Sequence, residues 1–191
     1  MSKFNFAFQV LSGGGNDLTN DPVSTRDCIF KSVLSSFHGN PVNIFQVGAI
    51  ESFDEKFRIG SGWADFFWGE YIRDNGGSLT IVDIDLDHLA NSILASTMLN
   101  YKISVTYGDA INSIAEGYDI YYLDGSNDPD ETLEQFKKIS HTKSVVIVDD
   151  YRIKGTSLEP LVKLGIQKET LKFDLYTNAN HVGVIDMRKG T

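Results

Sequence analysis

Short apolar runs alternate with longer segments of helical spacing from Asn43 onward. Five of the runs are rich in β-branched and aromatic residues and predict strands, namely NIFQVG, SLTIVD, KISVTYG, YDIYYLDG and KSVVIVDD. The segments between them predict helices at Ala64 to Arg73, Leu86 to Leu99, Asp109 to Ala115 and Pro129 to Ile139. Strands that alternate with helices predict right-handed βαβ units and a parallel sheet covered on both faces.

The beginning of the chain departs from this pattern. Residues 1–23 contain the alternation FNFAFQV and then a glycine-rich stretch, and they predict an arm that is either a lid or a disordered tail. Ser24 and Thr25 can cap a helix from Arg26 to Phe37. Residues 24–191 are therefore expected to form one domain.

The end of the chain predicts a different kind of strand pairing. A helix is expected from Leu158 to Leu164, and the runs ETLKFDLYT and HVGVIDMRK follow it, separated by Asn178, Ala179 and Asn180. Such a pair predicts a β-hairpin, so the last strand is expected to be antiparallel. The fold class expected is therefore α/β, a Rossmann-like doubly wound sheet of five parallel strands plus a C-terminal antiparallel hairpin strand.

Composition narrows the class of protein. The chain has 191 residues, 41% of them hydrophobic, which is enough for one domain with a substantial core. The net charge of −9 disfavours a nucleic-acid partner. The single cysteine allows neither an intrachain disulfide nor a cysteine-based zinc site. No signal-peptide pattern and no apolar run of membrane-spanning length are seen, so a soluble cytoplasmic protein without a membrane partner is expected.

The candidate chemistry lies where the predicted strands end. In open parallel sheets the ligand binds beyond the carboxyl ends of the strands. Each of the five strand ends is glycine or an acid, in the order Gly48, Asp83, Gly108 with Asp109, Asp124, and Asp149 with Asp150. None of them is Lys or Arg, which argues against a phosphate-rich ligand.

Asp83 has two candidate roles. Its two carboxylate oxygens can accept both hydrogen bonds of a ribose diol, and the end of the second strand is the place for that contact. Alternatively, Asp83 or Asp85 caps the helix that begins near Leu86. Asp85 fits the cap better because it is closer to the helix, and this leaves Asp83 for the ribose.

The first turn lacks a phosphate-binding fingerprint. Gly60 and Gly62 follow Gly48 only after a long insertion, and GSGW has no P-loop lysine. The sequence therefore predicts a ligand that contains a ribose but no phosphate that needs a glycine-rich cradle.

These motifs together resemble the class I S-adenosylmethionine-dependent methyltransferases, in particular the small-molecule O-methyltransferase branch. IFQVG, IVDID, YGDA, YDIYYLDG and VVIVDDY are similar to successive family motifs, and HVGVIDM is similar to the closing antiparallel strand. The resemblance extends over residues 43–187. It implies S-adenosylmethionine as the cofactor, whose sulfonium cation suits an acidic pocket on Coulomb grounds.

The resemblance also implies where the cofactor binds. It implies that the backbone approaches the methionine part at Gly48 and Gly62, and that Asp83 with the adjoining Ile84, Asp109 with Ala110, and Asp124 line the rest of the site. Two features depart from the family pattern. Gln46 stands where many members carry an acid, and the insertion after Gly48 is longer than the usual tight turn.

A divalent metal is the next expectation. Asp124, Asp149 and Asp150 match the three positions that hold the cation in the metal-dependent O-methyltransferases, and oxygen donors suit Mg²⁺, Ca²⁺ or Mn²⁺. Such a metal would lower the pKa of a substrate hydroxyl and orient it for attack on the methyl group. Alternatively, Asp124 contacts the cofactor or caps a turn, and Asp150 pairs with Arg152 or Lys154.

The general base is not evident. Asn127 stands where related enzymes carry Lys or His, and an amide cannot take a proton at neutral pH. Asp124, Asp149 and His181 are the candidate catalytic residues, and His181 is the one histidine that the pattern places near the pocket. A plain hairpin position for His181 is the alternative.

Three functions remain in competition. The first is methyl transfer to a small-molecule acceptor at a hydroxyl oxygen. The second is a dinucleotide or nucleotide-sugar enzyme on a similar sheet, and the third is an inactive binding protein of the methyltransferase fold.

The aromatic cluster Trp63, Phe66, Phe67, Trp68 and Tyr71 is expected in the core, with a homodimer surface or a stacking wall for the acceptor as alternatives.

Overall fold

A computed structural model describes residues 22–53, 63–176 and 181–188. Within these ranges the chain forms a seven-stranded sheet with the order β3-β2-β1-β4-β5-β7-β6. The strands are β1 (Val42–Val47), β2 (Gly77–Asp83), β3 (Ile103–Tyr107), β4 (Ile120–Leu123), β5 (Val145–Val148), β6 (Lys172–Tyr176) and β7 (Val182–Asp186).

The sheet is mostly parallel. β1 lies between β2 and β4, with Gln46 opposite Ile81 on one side and Tyr122 on the other, and both pairings are parallel. β7 pairs antiparallel with β5 and with β6, which confirms the predicted hairpin. The predicted count of five parallel strands was not exact, because β6 also runs in the direction of β1 to β5.

Helices follow the strands as the alternating pattern predicts. They are α1 (Pro22–Ser35), α2 (Ala64–Asn75), α3 (Leu86–Leu99), α4 (Ala110–Ser113), α5 (Pro129–Ile139), α6 (Tyr151–Lys154) and α7 (Glu159–Gln167). α3 and α5 have the predicted bounds. α1 begins earlier than predicted, at Pro22, a residue whose fixed φ suits the first turn of a helix. Of the predicted arm, residues 1–21 lie outside the described part of the chain.

Two apolar layers cover the two faces of the sheet. Ile44 belongs to the layer that contains Phe30 of α1 and Trp68 of α2, whereas Phe45 belongs to the layer that contains Phe136 of α5. This alternation along β1 places successive side chains on opposite faces, as expected for a strand buried on both sides. The doubly wound prediction is therefore confirmed.

The predicted aromatic cluster lies in the core. All five of its side chains are at most 8% exposed, namely Trp63, Phe66, Phe67, Trp68 and Tyr71. Phe30 of α1 packs against two of these rings, with ring centroids 4.5 Å from Trp68 and 5.4 Å from Phe67. The cluster thus joins α1 to α2 through aromatic contacts.

Among the described helices, none is both long enough and apolar enough to cross a membrane.

Candidate functional site

A cleft of about 950 Å³ opens at the carboxyl ends of β1 to β4. Its volume is in the range of small-molecule sites. The cleft brings together most of the residues that the sequence predicts for the cofactor, namely Gly48, Asp83, Ile84, Asp109, Ala110 and Asp124. Gly62 and most of the insertion lie outside the described residues.

The turn after β1 requires glycine at its first position. Gly48 has φ +93°, and a Cβ added there would lie 2.5 Å from the carbonyl oxygen of Asp124. The backbone of β4 therefore approaches this turn so closely that no side chain fits. The close contact forms the floor of the cleft.

Asp83 fixes the backbone around the cleft. Its Oδ2 accepts a hydrogen bond from the N–H of Ala49 at 2.8 Å, and its Oδ1 accepts one from the N–H of Asp85 at 2.9 Å. Nδ1 of His88 lies 3.4 Å from Oδ2. Oδ1 retains a second lone pair, so Asp83 keeps acceptor capacity toward the cleft.

The neighbouring acids act as helix caps. Asp85 accepts hydrogen bonds from the N–H groups of Asp87 and His88 and caps α3, which confirms the predicted cap. Asp109 accepts one from the N–H of Ile111 at 2.8 Å and caps α4. Asp109 lines the cleft as well, so one carboxylate serves the short helix and the site together.

A buried polar pair supports the first turn from below. Nε2 of Gln46 donates to the carbonyl oxygen of Gly48 at 2.6 Å and also to Oδ1 of Asp65 in α2. Burial raises the pKa of Asp65 to about 7, although hydrogen bonds from Ser92 and Gln46 lower it. Oε1 of Gln46 has no hydrogen-bond partner in the described part of the chain. Position 46 carries an amide in place of an acid, and the carboxyl group of Asp65 in α2 lies next to that amide.

The acids after β4 and β5 belong to a buried ionic network. Nζ of Lys154 lies 2.6 Å from Oδ1 of Asp124, and the two side chains are 4% and 5% exposed. Nη2 of Arg26 lies 2.8 Å from both carboxylate oxygens of Asp149. The hydroxyl of Tyr122 joins the pairs, donating to Oδ2 of Asp149 at 2.9 Å and lying 3.3 Å from Oδ2 of Asp124.

Burial and charge act in opposite directions on the groups of this network. Burial and the neighbouring charge of Asp149 together raise the pKa of Asp124 to about 7, although Lys154 and Arg26 act to lower it. Burial lowers the pKa of Lys154, but Asp124 together with Asp149 and Asp150 outweighs burial, and the net pKa is raised. The ammonium is therefore held in its charged form by its partner.

The three predicted metal ligands do not fit a divalent cation. Asp149 is fully buried and its oxygens are engaged by Arg26 and Tyr122, while Asp124 is engaged by Lys154. Asp150 is half-buried and lines the cleft. In the described part of the chain, no group of three or more His, Cys, Asp or Glu side chains could hold a metal ion. The two acids that point inward are neutralised by protein cations instead.

His181 supports backbone rather than the cleft. Its φ is +62°, and its carbonyl oxygen accepts a hydrogen bond from the N–H of Tyr151 at 2.7 Å. His181 is not among the residues that line the cleft. Its Nδ1 is buried without a hydrogen-bond partner among the described residues. Among the described residues, its interaction with the cleft is with Asp150, whose pKa His181 acts to lower, and its catalytic role stays a prediction.

Sequence reasoning missed five polar residues of the site and its support. Arg26 and Lys154 had no predicted site role beyond a surface pairing of Lys154 with Asp150, and Tyr122, His88 and Asp65 had none. The available signal was weak, because a basic residue inside a helical pattern is usually solvated. Tyr122 lies within the continuous apolar and aromatic run of β4, a pattern typical of core positions. Only the contacts of the folded chain reveal these roles.

Comparison with solved structures gives the class of fold. An S-adenosylhomocysteine-bound methyltransferase from Podospora anserina matches with a TM-score of 0.62 and 11% identity, over 98% of this chain and 88% of that chain. A candidate O-methyltransferase from Klebsiella pneumoniae matches with a TM-score of 0.61 and 10% identity, over 96% and 88%. A candidate rRNA methylase from Clostridium thermocellum matches with a TM-score of 0.58 and 16% identity, over 87% and 97%.

The chain has the fold of class I methyltransferases. At these identities the likeness concerns the fold, and the names of two of the proteins imply different acceptors, an oxygen atom and rRNA. No family model and no curated protein sequence matches the chain.

Proposed function

We propose that this protein is an S-adenosylmethionine-dependent methyltransferase that transfers a methyl group to a hydroxyl oxygen of a small-molecule acceptor. The observation that carries the proposal is the cleft, where Gly48, Asp83, Asp109 and Ala110 meet at the carboxyl edge of a class I methyltransferase sheet. The glycine, the ribose acid and the adenine-side pair come from three separate strand ends.

The residues present fit the cofactor. Asp83 would accept the ribose diol, and Ile84, which is 73% exposed at the cleft, would contact the adenine together with Asp109 and Ala110. The backbone at Gly48 would lie against the methionine part, supported by the pair of Gln46 and Asp65. When bound, the cofactor supplies an electrophilic methyl group on a sulfonium cation.

The charge of the cleft favours a small acceptor. Acidic side chains line its α5 side, namely Asp128, Asp130, Glu131 and Glu134. A polyphosphate backbone would be repelled from this wall, in agreement with the net charge of −9. The wall therefore supports a small-molecule acceptor over a nucleic acid, and it also disfavours a dinucleotide.

One observation favours a second function. Asn127 lines the cleft, and its amide cannot accept a proton. A protein of this fold that binds the cofactor without transferring the methyl group would tolerate such a residue. This candidate function predicts cofactor binding without product formation.

The test is calorimetric titration with S-adenosylhomocysteine and, separately, with NAD. Wild-type protein is expected to bind S-adenosylhomocysteine saturably, and Asp83→Ala to bind it about 10- to 100-fold more weakly because charge-assisted hydrogen bonds are lost. Asp87→Ala, which removes an exposed acid of α3, is the matched control and is expected to bind like wild type. Binding of NAD without binding of S-adenosylhomocysteine would refute the proposal.

A further inference from the structure

The buried ionic network below the cleft contains the side-chain ammonium of Lys154. Lys154 lines the cleft, yet its side chain is only 4% exposed, and its Nζ is 2.6 Å from Asp124. An ammonium has three N–H donors. Among the described residues Asp124 is the one hydrogen-bond partner of this ammonium, which leaves two donors for an oxygen atom bound in the cleft.

The position of Lys154 is built by an unusual backbone. Asp150 has φ +47° and His181 has φ +62°, both in the left-handed region that few side chains adopt. The N–H of Tyr151 binds the carbonyl of His181, and the N–H of Lys154 binds the carbonyl of Asp150. These contacts turn the chain sharply after β5 and start α6 against the cleft, which places Lys154 over Asp124.

The two buried carboxylates near Lys154 are each paired with a cation of the protein. Arg26 and Lys154 face the carboxylates of Asp124 and Asp149, and Asp150 adds a third, half-buried carboxylate. A divalent cation at this point would have to displace the ammonium from Asp124. Its repulsion by the two internal cations would also oppose binding.

We propose that Lys154 takes the place of a divalent metal in this protein and that its ammonium binds the acceptor oxygen as an oxyanion. This inference rests on the proposed methyl transfer. The acceptor class is a hydroxyl compound acidic enough to ionise in the site, such as a phenol. The hydroxyl proton leaves to solvent, so Asn127 is not required as a base.

The reaction is balanced by these groups. A lone pair of the acceptor oxyanion forms the new bond to the methyl carbon as the bond between that carbon and the sulfonium sulfur breaks. The bonding electrons return to sulfur and give the neutral thioether S-adenosylhomocysteine. Lys154 keeps its proton throughout and stabilises the negative charge until it is consumed.

The first experiment measures metal binding to wild-type protein after chelator treatment. Titration with Mn²⁺, followed by electron paramagnetic resonance in the presence of S-adenosylhomocysteine, is expected to show no saturable site. A single saturable Mn²⁺ site that is lost in Asp124→Asn would overturn the inference. This measurement needs no acceptor and no activity.

The second experiment measures the bound oxyanion with 4-nitrophenol, whose phenolate absorbs visible light. In the complex with S-adenosylhomocysteine, wild type is expected to lower the pKa of the bound phenol by about one unit, a tenfold shift toward phenolate. Lys154→Met is expected to remove this shift. Lys163→Met, which removes an exposed lysine of α7, is the matched control and is expected to retain it.

A second variant guards against unfolding. Lys154→Met can fail to fold because it leaves Asp124 buried without its partner. In that case the double variant Lys154→Met with Asp124→Asn, which removes both charges, is used for the phenol measurement. Failure of wild type to bind the phenol, or an unchanged phenolate shift in the lysine variant, would overturn the inference. Failure to bind S-adenosylhomocysteine at all would instead refute the proposed function.

Discussion

Asp65 carries a carboxyl group that is fully buried beneath the first turn of the site. Because burial raises its pKa from near 4 to about 7, the folded protein holds the proton more tightly than the unfolded chain does. This group therefore stabilises the fold most at low pH, and its contribution declines as pH rises from about 4 to about 7.

Asp65→Asn is expected to flatten the pH dependence of stability. The amide imitates the protonated acid, so the variant lacks the decline between pH 4 and 7, which amounts to at most about 1.4 kcal/mol per pH unit. Denaturant unfolding at several pH values measures the difference. Asp74→Asn, an exposed acid of the same helix, is the matched control, and identical pH profiles for wild type and Asp65→Asn would contradict the assignment.

Single residues were predicted unevenly. The separation of Asp85 as a cap from Asp83 as a residue facing the ligand followed from their distances to the helix, and the cap is confirmed. The roles of Asp124 and Asp149 depend on partners far away in sequence. Arg26 is 123 residues from Asp149, and Lys154 is 30 residues from Asp124. No local pattern identifies such partners.

The element that follows β2 depends on its cap. Asp85 has extended backbone angles and accepts from two N–H groups at the start of α3. The same cap holds His88 at the edge of the cleft. Helix α3 thus begins at a defined residue, and Asp83 is fixed on its preceding strand.

Asp85→Ala is expected to lower the free energy of unfolding by about 1 kcal/mol, because two N–H groups at the helix start lose their acceptor. Chemical denaturation provides the measurement, and Asp85→Asn, which retains a capping oxygen, is the matched control. An alanine variant as stable as wild type would show that water replaces the cap without cost. S-adenosylhomocysteine affinity is expected to change less in this variant than in Asp83→Ala.

Helices and strands were predicted well because their signals are local. Asp85 and Asp128 mark the beginnings of α3 and α5, and both helices have the predicted bounds. The direction of β6 was missed for a different reason. A hairpin sequence predicts that its two strands pair antiparallel with each other. Which of the two strands pairs with β5 is decided by tertiary packing, and here it is β7.

At the scale of the whole molecule, Arg26 joins the first helix to the functional edge of the sheet. Its side chain is 9% exposed and its guanidinium bonds Asp149 after β5. Asp149 raises the pKa of Arg26 against the effect of burial. The chain before β1 therefore contributes directly to the charge balance of the site.

Arg26→Met is expected to lower the free energy of unfolding by about 3–5 kcal/mol, because it leaves the buried Asp149 without its cation. Adding Asp149→Asn is expected to restore much of the loss, and the double-mutant cycle gives the coupling energy. Arg152→Met, which removes an exposed arginine of α6, is the matched control. Additive effects of the two substitutions would contradict a direct ion pair.

The sequence by itself determined the alternation of strands and helices, the hairpin at the end and the acids at the strand ends. These features follow from side-chain periodicity, turn residues and caps, which act over a few neighbouring positions. Only the tertiary structure decided the strand order and the partners of the acids. The free energy of a buried charge depends on which groups approach it across the sheet, and here Lys154 and Arg26 pair with two of the acids that sequence reasoning assigned to a metal.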